Sequence, residues 1–147
     1  MVLGYWDSHG YPNFPTGTQL INELADAMST WNWPIPGLTW PWAIDDGIIT
    51  VCQNHGYNNI IATNDYSETW NKVVSEVSAQ RPFIISMLMG GTPVGGSTAY
   101  GDHSVTCVGY VSGTFNYVTI HDTWDTTNYH LLTYGNWWDA MMTWVRP

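Results

Sequence analysis

Positive charge is what this chain has least of. Lysine and arginine number three (Lys72, Arg81 and Arg146) against twelve acids, which leaves a formal charge of −9 with the histidines neutral. Such a surface repels phosphate backbones and anionic lipid, so nucleic acid is disfavoured as a partner. Cysteine is also scarce: Cys52 and Cys107 are too few for a disulfide framework and are either one bridge or two buried thiols. No run of about 18 apolar residues occurs, so no membrane-spanning helix is expected. The opening MVLGYWDSHG lacks a basic start and a small-residue cleavage site and is not a secretory signal.

What is present is aromatic and neutral-polar. Ten tryptophans and an aromatic content of 15%, with only 10% charged residues, leave Thr, Asn, Ser and Gly to carry the polarity. That is not the composition of a disordered chain. A length of 147 residues suits a single domain that buries a real core. Few lysines beside many Thr, Asn, Trp and Tyr associate the chain with secreted or cell-surface proteins, so an extracellular setting is expected.

Helical periodicity fills the first half. Val2, Leu3, Tyr5 and Trp6 form the apolar side of a short helix with no capping residue before it, stopped by Gly10, Pro12 and Pro15. Leu20, Ile21, Leu24, Ala25 and Met28 predict a second helix, with Thr18 as its cap. TWNWPIPGLTWPW comes next as a Pro-rich loop, whose tryptophans are expected to pack beneath it rather than form a ligand platform. A third helix runs from Ala43 to His55, where Asp45 and Asp46 suit the positive end of the helix dipole. Residues 57–65 are short and turn-bounded, and Ser67 is placed to cap a fourth helix ending near Ala79.

After Arg81-Pro82 the period changes. PFIISMLMGG has the length and continuous apolarity of a buried strand, and the glycine-rich GGTPVGGSTAYGD lacks the strand-before, helix-after setting of a nucleotide loop. Two alternating segments, from His103 to Val111 and from Tyr117 to Asp122, join through Ser112-Gly113 as a hairpin. Tyr129–Tyr134 and Asn136–Val145 supply further strands. Helices first and a meandering antiparallel sheet second define an α+β class, with a helical part of about 1–80 and a sheet part of about 82–147 within one domain.

The hairpin carries the chemistry. His103 opens one strand and Asp122 closes the next, and pairing brings an imidazole beside a carboxylate that can orient it for proton transfer. The ordinary alternative is a turn histidine and a turn-capping aspartate. Ser8 and Ser104 have no supporting pattern.

RPFIISM after the last helix, GDHSVTCVGYV and YVTIHDTW, in this order and with this spacing, resemble the papain-like cysteine peptidases. The nearest branch is that of the bacteriocin-processing, double-glycine leader peptidases. The resemblance extends over nearly the whole chain, with residues 1–15 similar to the segment just after the nucleophile in such proteins. It implies a papain-like fold, N-terminal helices packed on a C-terminal antiparallel sheet, and a hydrolase acting on peptide or protein. It also implies that His103 is the general base and Asp122 the group that fixes its tautomer.

The pattern departs from the family at the nucleophile. A thiol opening the first helix is expected there, yet no cysteine or oxyanion-hole glutamine precedes Met1, so the domain reads as N-terminally incomplete. Cys52 is the weak substitute, because it sits late in the third helix, where the dipole raises a thiol pKa. Cys107, four residues beyond His103 on one strand, lies about 13 Å away, too far for proton transfer. No metal or other cofactor is expected. His121, Asp122, Asp125 and His130 are ligand-type side chains, but strand alternation sends His121 and Asp122 to opposite faces. Two functional readings result: a cysteine peptidase-like domain inactive as it stands, or a binding or self-associating module using the same fold and its Trp/Tyr-rich surface.

Overall fold

The computed structural model describes residues 1–31, 37–67, 69–125 and 129–147. They form an α+β protein whose chain divides into two compact units, Met1–Asn64 with Trp144–Pro147, and Asp65–Thr143.

The first unit holds helices α1 (Val2–Asp7), α2 (Thr18–Ala27) and α3 (Ile44–Asn54), with a 3-10 turn at Pro41–Ala43 leading into α3. Val2, Leu3 and Trp6 are the buried side of α1, and Ile44, Ile48, Val51 and Cys52 that of α3, as their spacing predicts. Thr18 is not the cap of α2 but its first residue. Gly17, at φ 59°, takes the cap position, a backbone angle that costs glycine little and a threonine much. Gly47 sits in mid-helix because a Cβ there would lie 2.3 Å from Met28 Cγ, so the missing side chain lets the end of α2 approach α3. Asp45 does more than complement the dipole: its carboxylate accepts from the Asn64 side-chain amide at 2.7 Å and from the Asn64 backbone N–H at 3.2 Å. The segment read as turn-bounded contains strand β1 (Ile61–Asp65), whose only buried residue is Ala62, too weak an alternation to announce itself.

The tryptophan-rich loop departs from expectation. Trp33 and Ile35 lie outside the described residues, but Trp31, Trp40 and Trp42 are 51%, 46% and 57% exposed, so they do not pack beneath the loop. Trp40 and Trp42 instead stack on each other, with ring centroids 4.7 Å apart and planes 13° apart.

The second unit begins with α4 (Trp70–Ser78), capped at Thr69 rather than Ser67. Ser67 is diverted because Asp65 Oδ1 accepts from both its backbone N–H and its hydroxyl at 2.9 Å, while Lys72 binds Asp65 Oδ2 at 2.6 Å. Glu76 is buried in α4 and forms a two-pronged pair with Arg81, at 2.8 and 2.9 Å. The strands are β2 (Phe83–Gly90), β3 (Gly101–Val111), β4 (Tyr117–His121), β5 (His130–Thr133) and β6 (Asp139–Arg146), the last crossing into the first unit after Thr143.

Strand order is β1-β6-β2-β3-β4-β5. From β2 to β5 the sheet is the expected antiparallel meander, but β6 returns to pair with β2, with Ile85 opposite Met142. β2 is therefore an interior strand; Phe83, Ile85 and Met87 are buried, whereas Leu88 and Met89 are 38% and 67% exposed, so the expected buried run is not buried throughout. Phe83, Ile85, Val105, Cys107, Val118, Ile120, Leu132 and Met142 are all at most 2% exposed and make up the unit's core. Asn136 belongs to a turn, not to β6: its N–H donates to Thr133 O at 3.0 Å after Gly135 at φ 82°.

Candidate active site

The β3–β4 pairing sets the site. Thr106 faces His121 and Cys107 faces Ile120, which carries His103, near the start of β3, alongside the residue just past the end of β4. His103 Nε2 stands 2.6 Å from the main-chain oxygen of Asp122. A carbonyl only accepts, so Nε2 carries the hydrogen, and in the neutral ring the lone pair is on Nδ1. The sequence pair is brought together, but the orienting atom is a backbone carbonyl rather than the expected carboxylate. The same oxygen accepts from the Thr123 hydroxyl. Thr123 holds φ 69°, a left-handed angle unusual for a β-branched residue, at the point where the chain leaves β4.

The Asp122 carboxylate is 4% exposed and directed elsewhere. Its Oδ2 accepts from the Tyr100 hydroxyl at 2.9 Å and its Oδ1 from the Trp124 N–H at 2.9 Å. His130 Nε2 lies 3.4 Å from Asp122 Oδ2 and 3.0 Å from Asp125 Oδ2. Burial first, and then the carboxylate it donates to, push the Tyr100 phenol well above its ordinary range. Tyr100 and Trp124 also flank the imidazole: Tyr100 is nearly parallel to it at 5.8 Å, and Trp124 is tilted at 5.2 Å. The half-buried His103 thus has two aromatic neighbours, a carbonyl on one nitrogen and an accepting lone pair on the other.

Sequence reasoning missed Tyr100 and Trp124. The available signals were a lone aromatic ending a Gly/Ser/Thr loop just before His103, and an aromatic two residues after Asp122. His121 stays apart from this cluster, its ring tilted against that of Tyr129 with centroids 4.3 Å apart. As alternation requires, it does not join Asp122, whereas Asp122, Asp125 and His130 do converge, their candidate ligand atoms lying within 4.8 Å of one another.

Neither thiol is poised for attack. Both are free and buried, and burial pushes Cys52 up to about 11 and Cys107 up to about 12. Cys107 also donates to Gly109 O at 3.5 Å. Ser104 pairs with Ser86 at 2.9 Å. Ser8 lies 3.0 Å from His9 Nδ1, but that nitrogen is 2.7 Å from Tyr5 O, so it carries a hydrogen and cannot take one from the serine.

These features define a class first: an α+β protein with an imidazole held by a main-chain carbonyl at a strand end. The family is more specific. The model of the Peptidase_C39 like family matches residues 1–143, and the chain belongs to that family. Neither curated proteins nor solved structures yield a match. No helix among the described residues is long and apolar enough to cross a membrane.

Proposed function

We propose that this chain supplies the proton-transfer half of a cysteine peptidase-like site and does not cleave peptides with its own two thiols. The observation that carries the proposal is the hydrogen bond from His103 Nε2 to Asp122 O, which leaves the lone pair of the neutral ring on Nδ1. In a complete site, Nδ1 takes the proton of a thiol, the thiolate adds to the scissile carbonyl carbon, and the imidazolium returns the proton to the leaving amine. Asp122 acts as the positioning residue through its carbonyl. The thiol has to come from a residue other than Cys52 and Cys107, whose burial opposes ionisation. Substrates in this reading are peptides or proteins, and the composition supports an extracellular setting.

The test is labelling of the purified 147-residue protein with an iodoacetamide probe beside a peptide-cleavage assay. Expected are no turnover, and labelling of both cysteines only on unfolding, unchanged by His103→Ala. Labelling of a folded thiol that falls with His103→Ala overturns the proposal.

A non-catalytic module is the second reading, favoured by the exposed stacked pair Trp40–Trp42. Exposed aromatics on a weakly charged surface suit protein contact or self-association. Sedimentation that stays monomeric at every concentration counts against the self-associating form.

A further inference from the structure

The geometry points to a divalent-cation site formed by Asp122, Asp125 and His130, and we propose that it takes a first-row ion such as Zn²⁺ or Mn²⁺. The three residues lie on one short stretch from the end of β4 to the start of β5. His130 Nε2 is 3.0 Å from Asp125 Oδ2 and 3.4 Å from Asp122 Oδ2. Ligand atoms bound at about 2.0–2.2 Å stand roughly 2.8–3.6 Å apart at neighbouring vertices of a tetrahedron or octahedron, so both separations match edges of a coordination polyhedron. The hydrogen bond of His130 Nε2 goes to Asp125, yet the same nitrogen also lies against Asp122 Oδ2, so two carboxylates converge on one imidazole nitrogen.

Charge points the same way. Asp122 is buried, and His130 lies against both its carboxylate and that of Asp125. A bound dication neutralises both carboxylates and uses the imidazole as a neutral ligand. Two oxygens and one imidazole nitrogen favour Zn²⁺ or Mn²⁺ over Ca²⁺ and Mg²⁺, which prefer all-oxygen sets. Tyr100, donating to Asp122 Oδ2, supplies the outer hydrogen bond that such ligands commonly carry.

The consequence extends to His103. Asp122 holds His103 through its carbonyl and would hold the ion through its carboxylate, so the ion would fix the residue that orients the imidazole. The site stands whether or not the peptidase reading does.

The experiment is thermal unfolding of the full chain with each ion alone at one common concentration, about 100-fold the dissociation constant measured for Zn²⁺. Expected is a rise of about 5–10 °C with Zn²⁺ or Mn²⁺ and little with Ca²⁺ or Mg²⁺. His130→Gln and Asp125→Asn should remove the rise while leaving the ion-free midpoint near that of the parent. Should either variant fail to fold, pulsed EPR of the Mn²⁺-loaded parent decides, and a nitrogen coupling from one imidazole is expected. No rise with either ion, a rise that survives both substitutions, or Mn²⁺ without nitrogen coupling overturns the proposal.

Discussion

Two imidazoles in this chain are held by hydrogen bonds of the same length to different kinds of oxygen. In the first unit, His55 Nε2 lies 2.6 Å from the Glu23 carboxylate, and in the second, His103 Nε2 lies 2.6 Å from the Asp122 main-chain carbonyl. A carboxylate brings a full charge that can be titrated away, and the Glu23 carboxyl sits below its usual range because His55, then Gln19, bond to its ionised form. A carbonyl brings only a dipole, fixes the tautomer of the neutral ring without itself titrating, and leaves its own residue's carboxylate free for other work. The helical pair is a surface tie, whereas the sheet pair is the exposed tip of a buried network that runs through Tyr100, Trp124 and His130.

The largest effect that separates them comes from deleting the acids. Asp122→Ala leaves the Tyr100 hydroxyl and the Trp124 N–H without their acceptor, and should cost about 2–4 kcal/mol in urea unfolding, since each abandoned donor costs about 1–3 kcal/mol. Glu23→Ala should cost far less, because its partner also meets water. A Glu23 variant as unstable as the Asp122 variant breaks the contrast between network and tie.

Tyr100→Phe sharpens it at smaller scale. The ring stays against His103 and Trp124 and only the donor to Asp122 Oδ2 is lost, so about 1–2 kcal/mol of destabilisation is expected. The His103 tautomer, read by ¹⁵N NMR, should stay Nε2–H because the carbonyl is untouched. A shift to Nδ1–H shows that the carboxylate, not the carbonyl, sets the ring.

Much of this arrangement is legible in the sequence alone, and the limits are physical. The hairpin from His103 to Asp122 comes from alternation across a short turn, and the buried β2 from an unbroken apolar run. What local pattern cannot carry is non-local choice. Whether β6 extends the meander or returns to β2 depends on which edge buries more surface, and nothing within DAMMTWVR states that. Ser67 has the chemistry of a cap, yet Asp65 competes for it from two residues away. The atom that orients His103 is hidden for a different reason: sequence names side chains, and the acceptor is a backbone oxygen placed by the left-handed turn at Thr123. His130 beside Asp125 is visible as a group of ligand types and alternation sets His121 apart, but local pattern does not show that Asp122, Asp125 and His130 converge.

The smallest effect tests the titratable side of the comparison. Glu23 has a folded-state pKa below its ordinary value of 4.5, so ionised Glu23 favours the folded chain. The sign comes from linkage: this stability is present above pH 4.5 and is lost as pH falls through the lowered folded-state value. Glu23→Gln should therefore flatten the acid limb of the melting-temperature profile below that pH and change little at neutrality, where an exposed pair is screened. For the sheet pair the matching variant is Asp122→Asn, which keeps the carbonyl. Its neutral His103 should retain the Nε2–H signature. If His103 instead changes tautomer with Asp122→Asn, the carbonyl is not its anchor, and the two imidazoles are held by the same kind of tie after all.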